Sequence, residues 1–456
     1  MKNSDRAGLL SAPQNMTLWK RIQASCPMWV YLVGLTIFLP FAYFAASGLP
    51  ALIFIMGLPL IWQLKSIRHF LVPAALTGAI LLLAFVRSDF IIMIMQGKSV
   101  QDAYKASNHY FLAPMAMWFI AWAMICAARN MPGGRALRIV TWFAYIGLAL
   151  TALQLLDTAS AMGVRNALNL SFFHGKRPEM VVVRGSDANF LLMMLFWPLC
   201  LIFNHRGWLA PVIAMTIALI GIAIVADTNA QILALGGSVL VFFVVRYWPH
   251  WLASRRITPE RVFAVLAGFS VLIFPALILN MVSRGLGYSI KAHMPPSWAA
   301  RIDIWSFTVE RCLEKPIWGW GYEAARLFEP DIPEHPHNMS MQAWLELGIP
   351  GLVLLALLWG AIFWLMMSRS DGLERKKAHR DRLTEIGTPG QAVETMGLEE
   401  RVRPYFIATV TVLFIINSVS YGMWRLWLYC AGALAAALLL LIVRAIKEDI
   451  RLHNLL

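Results

Sequence analysis

Apolar residues fall in runs of about 20, separated by short polar stretches, along the whole chain. The pattern predicts twelve membrane-crossing helices, near 29–46, 48–64, 69–86, 110–128, 135–157, 189–204, 208–225, 230–246, 260–280, 341–367, 403–420 and 424–445. The first two and the sixth are short, and Gly48-Leu49-Pro50 predicts a hairpin between the first two. The expected fold is an all-α polytopic integral membrane protein. Residues 1–456 form a single transmembrane domain, with a long helical loop, 281–340, between the ninth and tenth spans and an inner loop at 368–402. Lys2, Arg6, Lys20 and Arg21 precede the first span with no evident cleavage site, which predicts an uncleaved first helix.

Composition agrees. The chain is 59% hydrophobic and 14% charged, whereas soluble domains carry about 25% charged residues. No sizeable soluble domain is expected. With the N-terminus inside, every inner loop is basic: Lys65 and Arg68, Arg129 to Arg138, Arg206, Arg246 to Arg261, Arg369 to Arg403, and Arg444 to Arg451. That is the positive-inside bias, and it places both termini in the cytoplasm. The net charge of +14 follows largely from it, so the charge points to anionic inner-leaflet lipid rather than nucleic acid. Of the five cysteines, only Cys312 falls in an outer loop, and no disulfide framework or zinc spacing is visible.

Three outer segments exceed ordinary connectors: 87–109, 158–188 and 281–340. The first carries "FIIMIMQGKSV", which reads equally as an interfacial helix or a packed hairpin. The other two hold Arg165, Lys176, Arg177, Arg184, Arg284, Lys291, Arg301, Arg311, Lys315 and Arg326. Basic residues kept against the topological trend suggest an anionic ligand. Arginine's planar fork suits phosphate.

Arg301 and Trp305 are four apart and share a face of a predicted helix with an apolar side of Ile304, Phe307, Thr308 and Cys312. Lys315-Pro316 stops that helix, and "WGWG" (318–321) follows as a glycine-rich turn. Arg301 could equally form a surface ion pair with Asp303 or Glu310, and Arg184, a turn before the sixth span, could simply snorkel. His335 and His337 sit among prolines before the tenth span, in "PEHPHNMSMQAWLELGIPG". His337 falls near a helix N-terminal turn, where the positive end of the dipole favours the neutral, proton-accepting imidazole. A capping or interface role reads equally well. Glu346, in the first turns, faces polar groups or orients a substrate. "EPDIPEH" offers Glu329, Asp331, Glu334 and His335 as a weaker hard-metal candidate. No glycine-flanked serine elbow and no phosphate-binding GxxxxGK[ST] loop is present.

"RIDIW…KPIWGWG" followed by "HPHNMSMQAWLELGIPGL" resembles the O-antigen ligase/polymerase family of bacterial membrane glycosyltransferases. The resemblance rests on Arg301 and Trp305, Pro316 to Gly321, His337-Asn338, Gln342 and Gly348 to Gly351, with Arg184, Gly185 and Asn189 upstream. One departure stands out: the family's Ser-Arg after the seventh span is Ala230-Gln231 here.

The resemblance implies a multi-pass protein of the bacterial inner membrane with a periplasmic active site. The donor would be a glycan on a polyprenyl pyrophosphate and the acceptor lipid A-core. Transfer would be inverting and independent of metal or cofactor. His337 would be the general base, with His335 able to replace or assist it, and Arg184 and Arg301 would bind pyrophosphate. Lys176, Arg284, Trp305, His335, Asn338 and Gln342 are the candidate substrate contacts. The same family implies two alternatives, a polysaccharide polymerase and a protein O-oligosaccharyltransferase. A lipid-linked saccharide transporter is a reading from another class, disfavoured because the polar residues gather at the rim and no internal repeat is seen.

Overall fold

The computed structural model describes residues 18–44, 46–106, 112–173, 180–384 and 390–453. Among the described residues every regular element is helical, and ten helices are long and apolar enough to cross a membrane. Two differences separate these ten from the twelve expected. Ala46–Val86 is one apolar run of 41 residues that takes in both the second and the third expected spans. They are joined by a 3-10 segment, Leu58–Phe70. Leu209–Val225, the seventh expected span, is a shorter apolar helix of 17 residues, at the lower end of crossing lengths. The sixth expected span begins earlier than its hydropathy suggests, in the helix Met180–His205. Arg184 therefore lies inside a helix rather than ahead of it. Ser186 and Asn189 interrupt the apolar pattern there but are hydrogen-bonded to Gln231, so the polar residues do not end the helix.

The chain divides into two compact units. The first comprises Met1–His69, Phe119–Ile232 and Leu426–Leu456. Within it Gly133–Ala159 packs against Leu18–Phe44, Leu209–Val225 and Leu426–His453. Met180–His205 is the most enclosed span, buried almost without a break from Ala188 to Phe203. Arg165, counted in sequence among residues available to an anion, is buried here against Asp157 at 2.9 Å. The Tyr43 hydroxyl donates to the same carboxylate at 2.8 Å, and the Arg165 guanidinium lies 4.0 Å over the Tyr43 ring. That charge is spent on the fold.

The second unit comprises Phe70–Trp118 and Leu233–Arg425. Pro259–Ser283 packs along the helix beginning at Met339, which also contacts Leu71–Val86 and Gly390–Val419. The helix Pro296–Glu314 buries Ile302, Ile304, Trp305, Thr308, Val309 and Cys312, and ends at Lys315, before Pro316, as the sequence predicts. The expected connectors are themselves partly helical: Asp89–Met95 and Val100–Ala106 in the first, Gly163–Phe173 in the second. The expected inner loop, 368–402, falls partly on residues outside the described set.

The helix Met339–Thr384 is broken at Gly348, which adopts φ 68° and ψ −164°. The break frees carbonyls that no water can satisfy in an apolar environment. The "PIWGWG" turn takes them. The Trp320 N–H donates to the Leu345 carbonyl at 2.8 Å and the Gly321 N–H to that of Glu346 at 2.9 Å. In return the Ile349 N–H donates to the Pro316 carbonyl at 3.1 Å. The two strands of backbone touch so closely that a Cβ on Gly348 would lie 2.0 Å from the Ile317 oxygen. Gly319, at φ 66°, would likewise meet Glu346 backbone at 2.5 Å.

Gly348→Ala should therefore cost at least about 2 kcal/mol, from the left-handed backbone and the collision together. Unfolding of the purified protein in detergent checks this. Gly134→Ala, with nothing within 4 Å of the added carbon, is the control expected to be neutral.

Candidate active site

The histidine site belongs to the second unit and is built where the broken helix begins. Asn338 caps that helix. Its Oδ1 accepts the Ser340 and Met341 N–H groups, each at 2.9 Å, and its Nδ2 donates to the Ser418 carbonyl at 2.7 Å. Its oxygen and one of its two amide hydrogens are thus committed to structure. His337, immediately before the cap, has φ 54°, a left-handed conformation uncommon for a residue with a side chain. Two neighbours fix it. Its N–H donates to Nδ1 of His335 at 3.2 Å, and the Trp305 indole donates to the Pro336 carbonyl at 2.8 Å. The two imidazoles meet edge to face, with centroids 4.3 Å apart.

These bonds assign different tasks to the histidines. His335 is buried and uses Nδ1 as an acceptor. Burial, and next the neighbouring His337, push its pKa down to about 2, so it stays neutral. His337 lies with Nδ1 2.7 Å from the Ser420 carbonyl. A carbonyl can only accept, so Nδ1 carries the hydrogen and Nε2 presents the lone pair. Burial chiefly, and then the charge of Arg301, holds His337 below the ordinary 6.5 despite the opposing pull of the Ser420 bond.

Arg301, on the helix Pro296–Glu314, makes no ion pair with Asp303 or Glu310: Asp303 bonds Lys291 instead, at 2.6 Å. The guanidinium stacks over Trp298 at 5.1 Å, and its enclosed Nε has no hydrogen-bond partner among the described residues. Burial lowers its pKa, yet an arginine remains charged. A half-buried cation without a carboxylate, acting on a neutral imidazole, is an arrangement suited to an anion.

Behind the histidines lies a carboxylate that sequence reading noticed but did not explain. Glu346 is fully buried. It accepts Gln342 Nε2 at 2.9 Å, the Glu323 N–H at 3.0 Å and the Trp424 indole N–H. The Gln342 amide oxygen accepts the Met423 N–H at 2.7 Å. One carboxylate thus ties the broken helix to the loop after "WGWG" and to the segment 420–425. Gln342 and Asn338 are both structural ties in this arrangement. Segment 420–425 was missed in sequence. It reads there as a short connector, and its part emerges only from contacts about 80 residues distant.

The other expected residues divide. Arg284 is in the same unit, exposed just past Pro259–Ser283, with no side-chain contact to the histidines. Lys176 lies outside the described residues. Arg184 belongs to the first unit, half-buried, with Nη1 3.4 Å from Asn169 Oδ1. In that unit Gln231, the residue singled out in sequence as the departure from the resemblance, is a buried amide bonded to Asn189 and, at 2.8 Å, to Ser186. The outer basic residues are also fewer than they looked. Besides Arg165, Lys291, Arg311 and Arg326 are ion-paired, with Asp303, Glu314 and Glu323. Among the described residues no three of the His, Cys, Asp and Glu side chains converge as metal ligands, so "EPDIPEH" does not assemble one. A groove lined by Trp29, Val33, Arg138 and Tyr145 belongs to the first unit and holds none of the candidate residues.

Residues 213–356 match the family model described as O-antigen ligase. That stretch includes Arg301, Trp305, both histidines and the Gly348 break, and stops short of segment 420–425. A Rickettsia conorii protein whose name is "putative polysaccharide ligase" is 23% identical over 328 residues, 66% of this chain and 69% of that protein. A Rickettsia felis protein of the same name is 24% identical over 375 residues, 74% and 81% of the two chains. One from Rickettsia prowazekii is 26% identical over 197 residues, 40% and 41%. No solved structure matches the chain. Together the family model and these relatives bear out the resemblance to the O-antigen ligase family.

Glu346→Ala should leave three donors unpaired, one buried and two partly buried, at a cost of about 3 kcal/mol. Asn338→Ala, which loses a cap, should cost about 0.5–2 kcal/mol. Denaturation of the two variants side by side measures the order.

Proposed function

We propose that the chain transfers a preassembled glycan from a polyprenyl-pyrophosphate carrier to lipid A-core, like the O-antigen ligases it resembles. The carrying observation is His337. Its Nδ1 is occupied by the Ser420 carbonyl, its Nε2 is left to accept, and its pKa is held down beside Arg301. Nε2 would take the proton of the acceptor sugar hydroxyl as that oxygen attacks the anomeric carbon, a general-base contribution of roughly 10²–10⁴ in rate. The carrier diphosphate leaves with the bonding electrons, and Arg301 balances its growing charge. The configuration at that carbon inverts. On this reading His335 is not the base; it holds the His337 backbone in place. Arg184 is assigned to the donor diphosphate on the family resemblance alone. The site faces the periplasm of the bacterial inner membrane, the side that the basic inner loops leave for residues 281–340.

Transfer by purified protein, in chelator, tests the reading. Product that requires lipid A-core, and falls at least about 10²-fold in His337→Ala, is expected. Longer carrier-linked glycan without lipid A-core would make the protein a polymerase instead. Full activity in His337→Ala would remove the proposed base.

The base works in its neutral form, so activity falls as pH drops through the His337 pKa. Because that pKa is lowered, the acid limb of kcat/KM should lie below pH 6.5. Arg301→Gln removes a charge that depresses it. The limb should then move toward higher pH, with kcat reduced, which a pH–rate series on both proteins would show.

A further inference from the structure

Segment 420–425 grips the histidine site along its length. The Ser420 carbonyl accepts from His337, the Met423 N–H donates to Gln342, and the Trp424 indole donates to Glu346. Gly422 sits so close that a Cβ there would lie 2.7 Å from His335 Cγ. Arg425 closes the segment, and its guanidinium is ion-paired with Glu334, the residue before His335. The pair is at the rim, with side chains 38% and 58% exposed. Solvent-exposed ion pairs contribute little. A phosphate, with more charge and a geometry matched to the guanidinium fork, competes well against one hydrated carboxylate. Arg425 also acts electrically on the site, since its charge depresses both histidines.

We propose that Arg425 is a second phosphate-binding arginine of the histidine site, and that Glu334 is its resident counter-ion, displaced when a phosphate-bearing substrate enters. This rests on the transfer reading for its substrate, although the anion site can be measured without it. Two guanidiniums would then serve one neutral imidazole: Arg301, which has no carboxylate partner among the described residues, and Arg425, which has an exchangeable one. Glu323, backed by Arg326 at 3.3 Å, is the other carboxylate whose charge reaches Arg425. The phosphate could belong to the donor carrier or to the acceptor lipid.

The test uses the full-length protein in nanodiscs, first with inorganic pyrophosphate as the probe in calorimetry. Glu334→Gln should tighten binding about tenfold, and Arg425→Gln should weaken it about tenfold. The double variant should lie close to Arg425→Gln, because Glu334 acts on the anion mainly by occupying the arginine, with a smaller direct effect through His337. Arg425→Lys, which keeps the charge, should fall between. In transfer assays, a KM raised for the polyprenyl-pyrophosphate glycan alone assigns the diphosphate. A KM raised for lipid A-core alone assigns the acceptor phosphate. Unchanged pyrophosphate affinity in both Glu334→Gln and Arg425→Gln overturns the proposal, even if transfer is observed. Should the affinities shift as expected in a protein that transfers nothing, Arg425 stands as an anion site and the transfer reading fails. If Arg425→Gln does not fold, Glu334→Gln decides alone.

Discussion

A helix that breaks in an apolar environment has to pass its freed carbonyls to another segment, and the histidine site depends on how that is done here. Gly348 opens the helix after Leu347, and the "PIWGWG" turn hydrogen-bonds the exposed backbone on both sides of the break. Two glycines are needed because the strands approach closer than any Cβ permits. The reward is a short helix, from Met339 to Leu347, pinned at its far end by backbone and along its side by the Glu346 carboxylate. Its N-terminus is consequently a fixed platform. The Asn338 cap and the left-handed His337 sit on it, so the orientation of one imidazole traces back to a break two turns away.

The same construction explains why so many polar residues cluster without all being reactive. Asn338, Gln342, His335 and Trp305 read as substrate contacts when only their types are known. In space each has a structural partner: a cap, a backbone N–H, a carbonyl. Polar groups enclosed among apolar helices must be satisfied, and satisfying them uses up most of this set. Among the described residues, capacity to spare remains at His337 Nε2, at the Nε2–H of His335 and at the guanidinium of Arg301.

Helices were readily legible, because their signals are local. The apolar runs located the spans, and Lys315-Pro316 located the end of the Arg301 helix to the residue. Placing His337 at the head of a helix also needed only the periodicity that follows it. Hydropathy misjudged Met180–His205, since Ser186 and Asn189 look like a boundary until their bonds to Gln231 are seen. It ended one span and began another around Lys65, Ser66 and Arg68, where the chain instead continues as a 3-10 segment, Leu58–Phe70. Charge counting overestimated the outer cations because ion pairing is not a composition property: Arg165 and Asp157 are eight residues apart and fully enclosed. Illegible altogether were the Ser420 carbonyl, Trp424 and Arg425. Their contacts span about 80 residues of chain, and no pattern of spacing encodes a meeting at that range.

The bond from His337 to the Ser420 carbonyl has one more consequence. A carbonyl oxygen has no proton to exchange and does not hold one, so the imidazole cannot pass a proton through from one nitrogen to the other. In electrical language the ring is a capacitor rather than a wire: it charges and discharges through the single terminal at Nε2. On the proposed mechanism, each cycle would therefore end with that terminal meeting water or a departing product before the next begins. A chain of hydrogen bonds leading away through the protein would have let the site reset while still occupied. In the proposed reaction, emptying the site and resetting the base would be the same event.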